Sequence, residues 1–264
     1  MIGEVYRRQV PGNLPNACVC VPTGMMCAVA QRRMGSPWQG WLAVGGAVAV
    51  VVILMVINVG KNDDAPASRS QADISAAQAS DLLRTLPVKG RASKTGYSRT
   101  QFGEAWTDVV TVAGGHNGCD TRNDILQRDL TEVMLRRGSR CVVESGVLSD
   151  VYTGRTIRFA RGAATSAAVQ IDHMVALSDA WQTGAQQLSR TERTNLANDP
   201  LNLQAVDGPT NQSKSDGDAA TWLPPSKAYR CTYVIRQVQV KSRYHLWVTR
   251  AEHDAIAKVL KTCV

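Results

Sequence analysis

The sequence predicts a mixed α+β domain carried behind one N-terminal transmembrane helix. Three observations lead there. An uncharged apolar run, WLAVGGAVAVVVILMVINV, occupies residues 41–59. Helix-type and strand-type segments follow it in irregular order, the pattern of an α+β chain. Four cysteines, Cys119, Cys141, Cys231 and Cys263, all lie beyond the apolar run.

The N-terminal residues 1–37 are rich in Pro, Gly, Cys and Met and lack apolar periodicity. They read as a short cytoplasmic tail or as a wrongly assigned translation start. Residues 38–59 are long enough for a bilayer-crossing helix, with Trp38 and Trp41 as interfacial anchors. Arg32 and Arg33 precede the run, so the positive-inside bias sets the C-terminal part outside the cytoplasm. Single-pass membrane attachment is therefore expected, with secretion after cleavage as the alternative. Residues 60–89, small and polar, read as a flexible tether. The globular domain is expected over 90–264.

Within that domain, residues 121–136 place Ile125, Leu126, Leu130, Val133 and Met134 near helical spacing. Residues 141–148, 155–159, 168–172 and 203–206 read as short strands, punctuated by Gly146, Gly154 and Gly162. Residues 174–181 read as a helix. Ser189-Arg190-Thr191-Glu192 and Thr249-Arg250-Ala251-Glu252 are capping boxes that open two more. The stretch 233–240, with its β-branched residues, reads as a strand.

Net charge is +8. Beyond residue 59 there are 26 basic and 21 acidic residues, net +5. Such a surface suits a polyanion without choosing nucleic acid over anionic lipid or acidic wall polymer. Outside the cytosol the four cysteines form two disulfides. Four cysteines allow three connectivities. The expected pairs are Cys119–Cys141 and Cys231–Cys263, because each closes a local unit. No short CxxC spacing points to zinc.

The chemistry concentrates in 169–225. An apolar strand, VQI, runs into Asp172-His173. An acid and an imidazole at a strand end are costly to bury without partners. Alone they would read as a helix cap and a core histidine. They are not alone: Asn202 follows His173 after 28 residues, and Asn211 follows Asn202 after eight. This ordered set resembles the HNH endonucleases of the ββα-metal superfamily, in the variant with Asn at the third position. The segments GCDTRNDILQRDL, DVYTGRTIRF, IDHMVALSDAW, NDPLNLQAV and TWLPP resemble the exported bacterial branch of that family.

The resemblance implies a ββα-metal core and phosphodiester hydrolysis with one divalent metal, Mg2+ first, Mn2+ or Ca2+ as alternatives. It implies that Asp172 and Asn211 are metal ligands, that His173 is the general base, and that Asn202 braces the loop bearing His173. Oxygen donors suit a hard cation, and an imidazole suits proton abstraction near neutral pH. Lys214, three residues after Asn211, shares its helix face and is expected to reach a phosphate. Arg122 is a candidate for a second phosphate contact, whereas Asp120 reads as a helix cap. Asp216 and Asp218 read as turn or cap residues before metal ligands. Trp181 and Trp222 read as core, and His116, His245 and His253 as bystanders. Nucleic acid is the expected partner, DNA ahead of RNA, cut with low sequence specificity. No obligate protein partner is expected. The rival reading is a non-catalytic, disulfide-stapled module that binds an acidic wall polymer or a protein. It would not need the complete Asp172, His173, Asn202, Asn211 set.

Overall fold

The computed structural model describes residues 74–263. The apolar run at 41–59 lies outside the described residues. Among those described, no helix is long and apolar enough to cross a membrane.

The first described helix, α1 (Ala76–Thr85), lies inside the stretch read as a tether. Ser75 and Gln78 form a reciprocal capping box, and Ala79 and Leu83 are buried against the later helices. The globular part therefore begins upstream of residue 90, and the tether reading is corrected over 76–85. Two i,i+4 apolar positions, enough to bury one face, lie hidden in a small, polar composition.

Helix α2 (Thr121–Asp129) begins at Asp120, whose carboxylate accepts from the Asn123 amide at 2.9 Å. It stops at Asp129, not at residue 136. Leu130 instead opens strand β1 (Leu130–Leu135), which pairs antiparallel with β2 (Val143–Ser149), itself paired with β3 (Thr156–Ala160). Asp129 holds the end of α2 by accepting from the Ala205 amide at 2.7 Å and the Gln204 side chain at 2.9 Å. Leu130 and Val133 are near-helical in spacing, but pairing of Leu130, Thr131 and Met134 with β2 takes this stretch out of the helix.

The element that positions the site is a second, two-stranded sheet. Strand β4 (Val169–His173) pairs antiparallel with β5 (Leu203–Asp207), with His173 opposite Leu203 and Asp172 opposite Gln204. Between them run α3 (Leu177–Gln182) and α4 (Arg190–Asn198). Helix α5 (Gly208–Lys214) follows β5 directly; Asp207 caps it by accepting from the Thr210 amide at 2.9 Å. The strand–strand–helix unit β4–β5–α5 is thus compact around its insertion. A Cβ on Gly208 would collide with the Ala167 carbonyl, so only glycine lets α5 start this close to the chain entering β4.

Helix α6 (Arg230–Arg243) covers the stretch read as a strand, and that reading is corrected. Tyr233, Gln237, Val240, Lys241 and Tyr244 recur at helical spacing and are buried, while Val234 and Val238 join α1 and α7 (Arg250–Leu260). Packing on two sides overrides the β-branched preference. Helices α4 and α7 both start at their capping boxes.

The β4–β5 pair lies between two cores. Val169, Ile171, Leu203 and Ala205 pack with α2 and the three-stranded sheet. Met174 and Val206 belong to the core built by α1, α6 and α7.

Candidate functional site

Strand alternation sends Asp172 and His173 to opposite faces of β4, and both are nearly fully buried. Asp172 is held by two donors. The Tyr152 hydroxyl donates to Oδ2, and the Lys214 ammonium donates to Oδ1 at 2.9 Å and Oδ2 at 2.7 Å. Burial and the neighbouring carboxylate push the Tyr152 phenol well above its usual pKa, which keeps it a donor.

Lys214 is fully buried, and its ammonium also donates to the His173 carbonyl at 2.5 Å. An ammonium has three protons, and all three have protein acceptors here. Its placement departs from the expected phosphate contact: Lys214 holds the Asp172-His173 strand end. The helical spacing from Asn211 was legible, but the partner waiting across β4 was not.

His173 brings its Nε2 to 3.0 Å from the Ala197 carbonyl. A carbonyl only accepts, so the neutral ring carries its proton on Nε2 and leaves the Nδ1 lone pair open. Trp106 stacks over the imidazole, with centroids 5.9 Å apart and planes 15° from parallel. Burial is the largest influence on the ring and lowers its pKa to about 4, against the pull of Asp172. At neutral pH His173 is therefore uncharged.

Asn202 is fully buried, and its side chain bonds to the chain just after His173. Its Oδ1 accepts from the Val175 amide at 2.8 Å, and its carbonyl accepts from the Met174 amide at 2.7 Å. Its Nδ2 donates to Leu196 in α4 at 3.0 Å. Asn202 thus ties β4, α4 and the start of β5 together around His173. Asn211, at mid-α5, donates from Nδ2 to Gln170 Oε1 at 2.9 Å.

Asp172, His173 and Asn211 line one polar cleft of about 360 Å³, together with Lys94, Arg99 and Asp216. Lys94 pairs with Asp216 at 2.9 Å. Arg122 does not line this cleft: it donates to the Val169 carbonyl at 3.2 Å at the far end of β4, and burial, then Arg161, lowers its pKa. Asp218 is turned away from the cleft toward Arg91, at 2.8 Å. Trp181 and Trp222 pack in the cores. Both disulfides, Cys119–Cys141 and Cys231–Cys263, are formed, with Cα separations of 5.3 and 5.7 Å.

Three residues at the site went unread in the sequence: Tyr152, Arg99 and Trp106. Arg99 sits on the short turn Arg99–Phe102. Trp106 has φ +61°, a left-handed backbone unusual for a bulky residue. Nothing in the spacing of 97–106 marks them, because the contact with His173 is made across the fold.

Asp172 and Asn211 carry oxygen donors of the kind that a hard divalent cation takes. Each carboxylate oxygen has two lone pairs. Asp172 Oδ2 accepts two bonds and Oδ1 only one, so Oδ1 keeps capacity. Among the described residues, no protein donor bonds Asn211 Oδ1. Both residues line the same cleft. One paired carboxylate and one amide form a lean set, the kind that leaves coordination places to water and phosphate. Among the described residues, no group of three or more His, Cys, Asp or Glu is arranged to hold a metal ion.

A model of the C-terminal domain of GmrSD restriction endonucleases matches residues 120–259. An uncharacterized secreted protein of Arthroderma benhamiae is 38% identical over 191 residues, covering 72% of this chain and 86% of that protein. No solved structure matches the chain.

Proposed function

The chain belongs to the family of the GmrSD restriction endonuclease C-terminal domain, an HNH-type nuclease family, and from that premise we propose that it is a metal-dependent endonuclease cutting phosphodiester bonds at the Asp172–His173–Asn211 cleft. The observation that carries the reading is His173: neutral, fixed in one tautomer by Ala197, and lining the cleft that Asp172 and Asn211 also line.

A base must be unprotonated before the reaction and correctly aimed during it. Burial supplies the first condition and the Ala197 bond the second. As the water oxygen attacks phosphorus, its proton passes to His173 Nδ1, and the ester oxygen leaves from the opposite side. The imidazolium so formed has Asp172 as its sequence neighbour and the Ala197 carbonyl as its Nε2 acceptor. Lys214, Tyr152 and Asn202 are positioning residues that hold Asp172 and the turn after His173. A divalent cation, Mg2+ before Mn2+ or Ca2+, held by Asp172 Oδ1 and Asn211 Oδ1, would supply charge neutralisation at the phosphate.

The family description favours DNA over RNA as substrate. Two disulfides favour an oxidising compartment, in line with the secreted relative. The run at 41–59 would then serve as anchor or as a cleaved leader.

The test is plasmid nicking by the full chain. Cleavage is expected with Mg2+, loss of cleavage with a chelator, and loss with His173→Ala. A His173→Ala protein that cuts at the wild-type rate overturns the assignment.

A further inference from the structure

A second cleft, of about 320 Å³, adjoins the first and shares Arg99, His173 and Leu177 with it. Its character differs. Where the first cleft is walled by charged and amide side chains, the second is walled by Phe102 and Trp106. Its polar lining residues include Glu104 and Asn198.

Asn198 is the informative one. It is 2% exposed and lies at the end of α4. Its Nδ2 donates to the Thr194 carbonyl at 2.9 Å, which fixes the amide orientation, since the flipped amide would set oxygen against oxygen. Its Oδ1 then accepts no hydrogen bond from the protein. Buried acceptors are seldom left in that state, and this one, itself shielded from solvent, sits on a residue of the cleft wall.

We propose that the second cleft binds one unstacked nucleobase, so that the enzyme acts on unpaired nucleic acid; the link to cleavage rests on the nuclease reading above. The size agrees: the volume lies at the small end of ligand pockets and has room for one heteroaromatic ring system. The walls agree, because aromatic side chains take bases by stacking regardless of sequence. The polar groups agree as well. Every nucleobase offers an N–H donor on its Watson–Crick edge, and a small shift of the cleft wall would present to it the Asn198 Oδ1, which is closed off from solvent in this structure. In a duplex that edge is engaged, so the base must be unpaired or flipped out to enter. Charge sets the direction of the strand. Glu104 disfavours a phosphate inside the second cleft, whereas Arg99 stands on the shared border with no carboxylate partner among the described residues. A neutral base therefore goes past Trp106, and its phosphate stays on the side of Arg99 and His173. Trp106 and Arg99 both lie upstream of residues 120–259, so the pocket is built largely by chain outside the matched family domain.

The experiment has two arms on the full chain. In the first, adenosine 5′-monophosphate is titrated by calorimetry without metal. Saturable binding is expected, weakened at least tenfold by Ala105→Trp, which sets a bulky ring on an exposed lining position, and severalfold by Asn198→Ala. Thermal denaturation of each variant separates loss of the pocket from loss of the fold. Absence of binding, or equal binding in wild type and the Ala105→Trp variant with both folded, overturns the proposal. In the second arm, a single-stranded oligonucleotide, its duplex and a strand of abasic residues are offered with Mg2+. The single strand is expected to be cut at least tenfold faster than either of the others. Equal rates on all three overturn the proposal. A chain that binds the nucleotide in an Ala105→Trp-sensitive way but cuts nothing retains the pocket and loses the nuclease reading, so the two failures are distinct.

Discussion

Among the described residues two lysines are completely buried, Lys214 and Lys241, and their surroundings differ in a telling way. Lys241, on α6, reaches Asp179 in α3 at 3.1 Å, Glu252 in α7 at 2.7 Å and the Trp247 carbonyl at 3.2 Å. Arg91 adds a second cation against Asp179 and Asp218. This ammonium joins separate elements, and carboxylates outnumber cations around it. Lys214 spends all its protons on two consecutive residues, Asp172 and His173. It joins α5 to one strand end and leaves Asp172 Oδ1 with a lone pair beside an open cleft. The same kind of buried ion pair serves assembly in one place and, in the proposed function, the posture of the chemistry in the other. The surplus acceptor capacity marks the difference.

The sharpest way to break this contrast is at the residue that Lys214 helps to aim. His173→Ala should lower plasmid cleavage by about 10²–10⁴-fold. Loss of the buried ring stacked on Trp106 should also lower the melting temperature, so cleavage is compared per folded molecule. If cleavage persists, the Lys214 side of the molecule is structural like the other. Next comes Lys241→Met. Removing the cation strands Glu252 in the interior and leaves Asp179 with Arg91 alone, a loss of roughly 3–5 kcal/mol of stability, measured by denaturant unfolding. Cleavage per folded molecule should be unchanged. Lys214→Met should instead lower cleavage per folded molecule, because Asp172 keeps only Tyr152. Identical profiles for the two lysine variants would erase the distinction.

How much of this was readable beforehand follows from the range of each interaction. The boxes Ser189–Glu192 and Thr249–Glu252 close within one turn, so sequence alone locates the starts of α4 and α7. Strands β2 to β5 are short apolar runs between turn residues and could be placed nearly to their ends. Asp172, His173 and Asn211 could be assigned to one locus because their order matches a known arrangement. Residues 233–240 failed for the opposite reason: β-branched residues favour a strand locally, and burial on two sides makes them a helix. Leu130 failed because a bond to Leu148 across a hairpin ended α2. The partner of Lys214 and the approach of Trp106 to His173 are contacts between segments far apart in the chain, without local signature. The box at Ser75–Gln78 was local and legible, yet polar neighbours masked it.

The disulfides sharpen the comparison at a smaller scale. Cys231–Cys263 joins the start of α6 to the chain after α7, on the Lys241 side. Cys119–Cys141 joins the entry of α2 to the start of the β2 segment. Replacing either pair with serine should remove about 2–4 kcal/mol. Loss of Cys231–Cys263 should show in thermal unfolding and leave the rate per folded molecule alone. Non-reducing peptide mapping checks the pairing directly; a crossed pattern would remove the basis for both statements.

The smallest effect expected is a pH slope, and it belongs to the Lys241 side alone. Glu252 is buried beside Asp179 and Asp218, and burial first, then these carboxylates, raises its pKa from 4.5 to about 7 despite Lys241. Below pH 4.5 it holds its proton folded and unfolded, so it contributes no slope. Between 4.5 and 7 the unfolded chain has released that proton while the folded chain keeps it. The folded state then binds more protons, and stability falls as pH rises. Above 7 both states are ionised and the slope ends. One proton limits the slope to about 1.4 kcal/mol per pH unit. Other groups titrate in the same window, so the diagnostic is a difference. In Glu252→Gln the side chain cannot ionise, and unfolding free energies at pH 5 and pH 7 should lie closer together than in wild type. The amide also keeps an oxygen for the Lys241 ammonium. If wild type and Glu252→Gln show the same dependence on pH, the carboxylate is already ionised at pH 5. Lys241 would then outweigh burial, and the surplus of acid that distinguishes its surroundings from those of Lys214 would be neutralised in the fold.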